Sequence, residues 1–412
     1  MRATTLLRSI LCIDHTRVVG AQFQPEHLEI RVRPSTRCPC CSGCYRKAPS
    51  YDRHPRTWRH LDVAGMKVLL SYALRRVDCP YCGIRAELVP WAEPGSRFTR
   101  DFEDQVAYLA QRCDQSTVAK TMRMSWATVG DVVQRVVARA RTEDLLDNLA
   151  FIGIDELSYR RHHEYVTVVV DHVRQRVVWA APGKNAATLD AFFDALGPKR
   201  TAELRGITID MSAAYTQAVS RRAPHATLIY DRFHVQRLVQ DALDEVRRSQ
   251  MRVLDGADRT AIKNTRYSLL KNYWNLSTVD VERLAKVQQT NRPLYRAYLL
   301  KAIFAEILGR SDKRQVRQKL KEWISWARRS RLPSFKRVAA TIRKHLEGII
   351  AIVTTGLSNG RTEALNGKIR TITRRAFGFH RVSNLVSYIM LCCTGLALSP
   401  VFKLTPLHPQ EL

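Results

Sequence analysis

Phe151-Ile-Gly-Ile-Asp155 and Gly206-Ile-Thr-Ile-Asp210 are the two stretches that decide the fold of this chain. Each is a short apolar run that ends in a carboxylate, which is the pattern of a buried strand. Residues 165–171 and 176–181 predict two further strands between them, and Thr227-Leu-Ile-Tyr-Asp231 predicts a fifth strand that again ends in Asp.

Helical patterns separate the later strands, over residues 185–197, 212–222 and from residue 232 onward. The predicted order is therefore βββαβαβα. Three hairpin-connected strands followed by alternating helices and strands predict a mixed sheet with helices packed on its faces, which belongs to the α/β class.

The first two strand-terminal carboxylates, Asp155 and Asp210, lie side by side if their strands are neighbours. Their mutual repulsion would then force protonation unless a cation sits between them. Oxygen ligands suit Mg²⁺ or Mn²⁺, and two such ions can activate a hydroxyl and stabilise the leaving oxygen at a phosphodiester. The alternative is that each Asp caps the helix that follows it. Together, in a strongly basic chain, they favour a metal site.

The composition predicts a polyanionic partner. The 412-residue chain carries 67 Lys and Arg against 38 Asp and Glu, a formal charge of +29. Nucleic acid would neutralise this excess and release counterions, although a merely soluble basic protein has the same composition.

No secretory signal is visible, and the apolar segment 385–398 is too short and polar to span a bilayer, so it predicts a buried helix. We therefore expect a cytoplasmic protein with reduced cysteines.

Two cysteine motifs near the start, Cys38-Pro-Cys-Cys41 and Cys79-Pro-Tyr-Cys82, predict a structural zinc site. Each presents two thiolates, and two such motifs fill four tetrahedral positions. A strand over residues 66–77 would return the chain to the first motif, where Cys40 and Cys44 are alternatives to the chosen cysteines. The predicted zinc ligands are Cys38, Cys41, Cys79 and Cys82.

A helix-turn-helix is predicted next. Ser116 can cap one short helix and Ser125 a second, with a turn over residues 123–125. The second helix, from Trp126 to Arg135, would be the recognition helix, although periodicity alone also fits any helical hairpin. Its predicted DNA contacts are Trp126, Thr128 and Arg135.

The stretch Ser358-Asn-Gly-Arg-Thr-Glu363-Ala-Leu-Asn-Gly-Lys-Ile predicts a helix that carries one further carboxylate. Helical spacing assigns Glu363, Asn366, Arg370 and Arg374 to one face and apolar residues to the other. The apolar face would pack on the sheet and direct Glu363 towards the Asp pair; a surface Glu paired with Arg is the alternative. Its predicted DNA contacts are Asn366, Lys368, Arg370, Arg374 and Arg375, followed by the aromatic residues Phe377, Phe379 and His380.

More than a hundred residues of helical pattern precede this stretch. Their tryptophans, Trp274, Trp323 and Trp326, are predicted to lie in the core.

The CxxC-type module and the helix-turn-helix are followed by four further motifs: Gly153-Ile-Asp155-Glu, Ile209-Asp210-Met-Ser-Ala-Ala-Tyr215, Tyr230-Asp231-Arg-Phe-His234-Val and the stretch that begins at Ser358. Together these features resemble the ISL-three family of bacterial insertion-sequence transposases, over essentially the whole chain. The resemblance implies an RNase H-like catalytic fold with an all-helical insertion before the final carboxylate. It also implies Asp155, Asp210 and Glu363 as the catalytic, metal-binding triad, with Asp231 and His234 as supporting residues.

The function implied by this resemblance is DNA transposition. Each transposon end would be hydrolysed, and the freed 3′-hydroxyl would attack target DNA. We expect two Mg²⁺ or Mn²⁺ ions, structural Zn²⁺, double-stranded DNA as substrate, and a homodimer or larger assembly on DNA. Neither a membrane nor a small-molecule substrate is expected, and the location would be the bacterial nucleoid. The alternatives are an inactive or domesticated DNA-binding regulator and an RNase H-like nuclease without joining activity.

The predicted organisation is multi-domain. An N-terminal strand region with the zinc-binding module (1–92) is followed by the helix-turn-helix (93–145), the first part of the catalytic core (150–245), the helical insertion (246–354) and the final core helices with Glu363 (355–398).

Overall fold

The computed structural model describes residues 3–11, 13–140, 143–160, 164–263, 265–310, 312–357, 360–376, 378–379 and 381–401. Ser358, Asn359, Phe377 and His380, which belong to the motifs above, lie outside these residues. The described residues form two mixed sheets and many helices, which confirms the α/β class. They divide into two compact units: the first comprises residues up to 140 with 383–392 and 396–401, and the second comprises 143–382 and 393–395.

The first unit contains a five-stranded sheet in the order β1-β2-β4-β3, with β5 also paired to β4. The strands are β1 (Thr16–Phe23), β2 (His27–Pro34), β3 (Ser50–Val63), β4 (Met66–Cys79) and β5 (Gly83–Ala86), and helix α1 (Ala3–Leu11) precedes them. Ile30, Trp58, Leu70 and Trp91 are buried in its core. The predicted strand at residues 66–77 is present as β4.

Three helices follow in the first unit: α2 (Arg100–Arg112), α3 (Gln115–Thr121) and α4 (Trp126–Ala140). The predicted turn is confirmed, because Arg123 adopts φ 50° and Ser125 Oγ accepts a hydrogen bond from Thr128 N at 3.2 Å. The first cap is corrected. Asp114 caps α3 by accepting from Thr117 N at 2.9 Å, so the predicted cap Ser116 lies inside the helix.

A buried carboxylate joins α2 to α4. The Glu103 side chain is fully buried and accepts from Arg135 Nε at 2.8 Å and from Arg139 Nη1 at 3.0 Å. Charge-assisted hydrogen bonds of this kind are about twice as strong as neutral ones, so this ion pair fixes the angle between the two helices.

The second unit contains the sheet predicted from the Asp-terminated strands. Its strands are β6 (Phe151–Arg160), β7 (Glu164–Asp171), β8 (Arg176–Pro182), β9 (Gly206–Ile209) and β10 (Thr227–Tyr230), in the order β10-β9-β6-β7-β8. Strand β7 is antiparallel to its neighbours β6 and β8, and the β6–β9 and β9–β10 pairs are parallel. Helices α5 (Ala186–Ala202), α6 (Ala213–Arg222) and α7 (Arg232–Val253) complete the predicted order βββαβαβα.

Helices fill the rest of the chain, as predicted for the insertion. They are α8 (Gly256–Ile262), α9 (Arg266–Leu270), a 3₁₀ turn (Tyr273–Asn275), α10 (Thr278–Thr290), α11 (Arg292–Gly309), α12 (Lys313–Arg329), α13 (Pro333–Lys344), α14 (Leu346–Thr355), α15 (Gly360–Arg375) and α16 (Val382–Cys393). Trp323 is buried as predicted, and its Nε1 donates to Leu300 O at 2.8 Å. Trp326 is half-buried, whereas Trp274 is 52% exposed and departs from the prediction of a core position.

The late apolar segment forms α16, in which Leu385, Ile389 and Leu391 are buried, as predicted. Across the residues that the structure describes, no helix is both long enough and apolar enough to cross a bilayer.

We predict that Glu103→Ala loosens the α2–α4 pair, because it leaves two arginines without their buried acceptor. The free energy of local opening should fall by about 2 to 3 kcal/mol. Hydrogen exchange in peptides that cover α2 and α4 measures this loss. Asp131→Ala, which removes an exposed carboxylate from α4, is the control, and equal effects of both substitutions would contradict the role assigned to Glu103.

Candidate functional site

Asp155 and Asp210 lie level with each other on neighbouring parallel strands. Gly153 of β6 is paired with Thr208 of β9. Asp210 comes two residues later, directly after β9 ends at Ile209, whereas Asp155 does not end its strand as predicted, because β6 continues to Arg160. Side chains two residues apart point to the same face of a sheet. The register therefore brings the two carboxylates to one face of the sheet, at the edge where the carboxyl end of β9 lies.

Gly153 allows β6 to pack closely at this position. A Cβ at Gly153 would lie 2.8 Å from His172 Nε2 and 3.0 Å from Thr208 Oγ1. These two side chains hydrogen-bond to each other at 2.7 Å and fill the space just below the carboxylates. A side chain at residue 153 would therefore disturb the pairing that aligns the two Asp residues.

The environment of Asp155 opposes its ionisation. Burial raises the pKa of its carboxyl, and the charge of Asp210 raises it further. Hydrogen bonds from Glu156 N and Asn366, together with the nearby His234, act in the opposite direction. The protein thus holds two acidic groups together at an electrostatic cost, which a divalent cation would relieve.

Asp231 stands at the same edge, one strand further out. Tyr230 is paired with Ile209, so Asp231 follows β10 at the level of Asp210. Its Oδ1 accepts from Phe233 N at 3.1 Å and caps α7, while His234 Nε2 lies 3.5 Å from its Oδ2. Burial raises the pKa of Asp231, with added contributions from the charges of Asp155 and Glu363. Asp231 is therefore both a helix cap and a neighbour of the candidate triad.

Helix α15 brings Glu363 towards this edge. Glu363 is exposed in the first turn of the helix. One turn later the buried Asn366 donates from Nδ2 to Asp155 Oδ2 at 2.5 Å. This hydrogen bond joins the helix that carries Glu363 to the strand that carries Asp155.

The position of Asn366 corrects the predicted face of α15. The buried face consists of Thr362, Asn366, Ile369 and Ile372, whereas Arg370 and Arg374 are exposed beside Glu363. Asn366 was predicted to contact DNA, but its side chain is only 3% exposed and is directed into the site. The spacing of the buried residues in steps of three and four could have revealed this face.

Glu156 and Tyr215 were quoted in the motifs without a role. Burial and the charge of Asp210 raise the pKa of Glu156 to about 7. Tyr215, buried on α6, hydrogen-bonds through its hydroxyl to Thr167 Oγ1 at 2.7 Å. Both residues therefore lie close enough to Asp210 for its charge to raise their pKa values, where we had predicted only the triad with Asp231 and His234.

Four cysteines form the second chemical centre. Cys41, Cys44, Cys79 and Cys82 bring their sulfur atoms within 4.8 Å of one another. In the described parts of the chain this is the only group of three or more His, Cys, Asp or Glu side chains with such ligand geometry.

Cys38 is exposed and stands outside the cluster, and Cys44 takes its predicted position. The reason is a tight turn that begins at Cys41. Tyr45 N donates to Cys41 O at 2.9 Å, and Cys41 N donates to Arg46 O at 2.8 Å. The first motif is thus Cys41-Ser-Gly-Cys44. Because Gly43 has no side chain, Cys82 Sγ can approach it closely: a Cβ at residue 43 would lie 3.2 Å from that sulfur atom.

Comparison with known proteins matches three consecutive parts of the chain to family descriptions. Residues 152–389 match a family described as "Transposase", residues 87–137 the "Helix-turn-helix domain of transposase family ISL3", and residues 34–82 the "zinc-finger of transposase IS204/IS1001/IS1096/IS1165". The chain belongs to the ISL3 family of transposases.

The relatives of this ISL3-family chain include curated insertion-sequence proteins. It is 38% identical to the transposase for insertion sequence element IS1557 of Mycobacterium tuberculosis, over 96% of both chains. It is 28% identical to the transposase for insertion sequence element IS1001 of Bordetella parapertussis, over 85% of this chain and 88% of the relative.

The helix-turn-helix of this ISL3-family chain corresponds to α2, α3 and α4. Of its predicted DNA contacts, Trp126 and Thr128 are half-buried, and Arg135 is engaged by Glu103. The exposed face of α4 carries Ala127, Asp131, Gln134 and Ala138.

The zinc-finger match contains all four clustered cysteines, and their donors fit a structural zinc ion. A Cys₄ set is one of the tetrahedral arrangements that zinc adopts. Hydrogen bonds from the backbone of Cys44 and Gly43 lower the pKa of Cys41 to about 7, whereas Cys44, burial and Cys41 raise the pKa of Cys82 to about 12. Four thiolates held this closely repel one another, and a bound zinc ion would relieve that repulsion.

We predict that Cys44→Ser removes bound zinc, whereas Cys38→Ser leaves one zinc per chain. Loss of one thiolate opens a closed structural site, and the fold of such modules depends on the metal. Elemental analysis of the purified variants measures the zinc content. Retention of zinc by Cys44→Ser together with its loss from Cys38→Ser would contradict the assignment.

Proposed function

We propose that the protein binds the terminal inverted repeats of an insertion sequence and catalyses metal-dependent DNA strand cleavage and strand transfer. The observation that carries this proposal is the pairing of β6 with β9, since it aligns Asp155 with Asp210. Membership of the ISL3 transposase family supports the same reaction.

Asp155, Asp210 and Glu363 would hold the divalent cations, two Mg²⁺ or Mn²⁺ ions. The fit rests on a donor set of oxygen atoms alone and on the position of Asp155 beside Asp210, where burial first and the charge of Asp210 second raise the pKa of the Asp155 carboxyl. When bound, such ions activate the attacking hydroxyl and stabilise the charge on the leaving oxygen.

The side chains of the protein contribute orientation. Asn366 holds Asp155 Oδ2 through its buried amide, and Asp231 with His234 supports the neighbouring edge. Water would hydrolyse the phosphodiester at the transposon end, and the freed 3′-hydroxyl would then displace the 3′-oxygen of a target phosphodiester. Fixed donors and charges of this kind act without reorganisation during the reaction.

DNA would be held by cations on α15 and by the N-terminal modules. Arg370 and Arg374 are exposed on the same side of α15 as Glu363, and Lys368 and Arg375 follow the same helix. Trp126 and Thr128 would act from the start of α4, where residues of a recognition helix reach base edges.

The organisation of the whole protein follows the same proposal. The zinc module (1–92) and helix-turn-helix (93–145) would read the ends, the two core segments (150–245 and 355–398) would carry the reaction, and the insertion (246–354) would separate them. Two ends must meet, so a homodimer or larger assembly on DNA is part of the proposal, as is association with the bacterial nucleoid.

We predict that Asp155→Asn, Asp210→Asn and Glu363→Gln each reduce metal-dependent cleavage of end-bearing DNA by about a thousandfold or more, because each removes a charge that holds the cations. Gel analysis of cleavage, with binding measured in parallel, checks the result. Asp241→Asn, an exposed carboxylate on α7, should retain activity. Full cleavage by any triad variant would remove that residue from the site.

We predict that Asn366→Ala raises the Mg²⁺ concentration needed for half-maximal cleavage by about 10- to 100-fold, the usual effect of removing a group that orients a metal ligand. Titration of Mn²⁺ binding by electron paramagnetic resonance checks the same loss without turnover. Thr371→Ala, an exposed change on the same helix, is the control. An unchanged metal requirement in Asn366→Ala would contradict a positioning role.

A further inference from the structure

A cleft lined by cations lies beside the outermost strand of the catalytic sheet. Its walls are α12, the junction of α13 with α14, and β10, and its volume is about 640 Å³. We call it the cationic cleft. Lys313, Arg343 and Lys344 line it together with Glu347, and Arg317 and Lys321 flank it through their charges on Glu347.

The helical period explains why these cations face outward. Val316, Leu320, Trp323 and Ala327 form the buried face of α12, so the basic residues between them are left on the remaining surface. Lys313, Lys321, Arg343 and Lys344 are all exposed. The sequence thus builds a surface of long, mobile cationic side chains on a rigid helical support.

Glu347 is the only acidic residue that lines the cleft within the described chain. It accepts from Arg317 Nη1 at 2.5 Å and Nη2 at 2.6 Å. The pKa of Glu347 is lowered first by Arg317 and then by the charges of Lys313 and Lys321. Several cations therefore converge on one carboxylate that is already paired.

The other four cations have no counter-charge of their own. Among the described residues, no ion pair involves Lys313, Lys321, Arg343 or Lys344. Like charges that are held together repel one another, and a polyanion relieves this repulsion and releases counterions when it binds.

The cleft is attached directly to the catalytic sheet. Tyr230, the last residue of β10, hydrogen-bonds through its hydroxyl to His345 Nδ1 at 2.7 Å. Gly348 of α14 packs against the same ring so closely that a Cβ would lie 2.6 Å from it. Because Asp231 follows Tyr230 in the chain, the cleft and the candidate active site share strand β10.

We propose that the cationic cleft binds the phosphate backbone of the target DNA duplex during strand transfer. This inference rests on the proposed function. Lys and Arg contacts to phosphates position a duplex without reading its sequence, which suits a target that is not defined by the ends. The inverted repeats need base readout, which the proposed function assigns to the N-terminal modules.

The test compares two variants of the full-length protein that lose the same charge. The cleft variant is Lys313→Ala/Lys321→Ala/Lys344→Ala. The matched control is Arg283→Ala/Lys286→Ala/Arg292→Ala, which removes three exposed cations from α10 and α11 of the same insertion. The probes are a duplex with the inverted repeat that flanks the gene, a pre-cut form of it with a free 3′-hydroxyl, a supercoiled plasmid without the repeat, and a random-sequence duplex.

We expect the cleft variant to cleave the end duplex within twofold of the unaltered protein but to transfer the pre-cut end into the plasmid about tenfold more slowly. For binding to the random duplex, we expect the slope of the logarithm of the binding constant against the logarithm of the salt concentration (the salt slope) to decrease in magnitude by about one for each phosphate contact removed. The control should match the unaltered protein in all three measurements.

Three results would overturn the inference. Equal strand transfer and equal salt slope in the two variants would show that the cleft does not bind DNA. A parallel loss of end cleavage and strand transfer in the cleft variant would assign the cleft to the transposon end. Binding of an acidic polypeptide, poly-glutamate, that equals binding of the duplex and depends equally on the cleft would reject DNA as its specific occupant. Failure of the unaltered protein to cleave any end duplex would instead count against the proposed function.

Discussion

The parallel pairing of β6 with β9 is the constraint on which the rest of the site depends. Ile152 and Ile207 are fully buried partners in this pair, so a slip by one residue would turn the apolar set to the wrong face. The same register holds Asp155 beside Asp210 and, through β10, aligns Asp231 with them. Helix α15 is then joined to the pair by the hydrogen bond from Asn366 to Asp155. Folding energy thus offsets the repulsion between acidic groups at one edge.

Charge is distributed in two opposite ways in the second unit. Acidic groups are held together at the edge of the sheet, where burial raises the pKa of both Asp155 and Asp231. Cations lie on the surrounding surface, on α15 and in the cationic cleft beside β10. A bound cation would relieve the first concentration of charge, and a DNA backbone the second. These two surfaces account for part of the excess of cations in the chain.

The sequence predicted what periodicity and burial determine. The apolar runs before Asp155, Asp210 and Asp231 were correctly identified as strands, because runs of this kind fit few other structures, but the end of the first strand was placed too early, since β6 continues past Asp155 to Arg160. Cys44 was not chosen over Cys38, because the cysteines allow several motif registers and only the tight turn at Cys41 selects one. Asn366 was assigned to the DNA-binding face because it lies three residues after Glu363, although its spacing from Ile369 and Ile372 also fits the buried face. Trp274 was expected in the core from residue type alone, which carries no information about its surroundings.

The most direct test of a metal site at this edge is cleavage of the polypeptide by iron. Fe²⁺ that replaces the native cation reduces added hydrogen peroxide to hydroxyl radicals, which cut the backbone close to the metal, and ascorbate returns the resulting Fe³⁺ to Fe²⁺. The account predicts fragments that end near residues 155, 210 and 363, and their suppression by excess Mg²⁺. Fragments elsewhere in the chain, or cleavage that Mg²⁺ does not suppress, would contradict it.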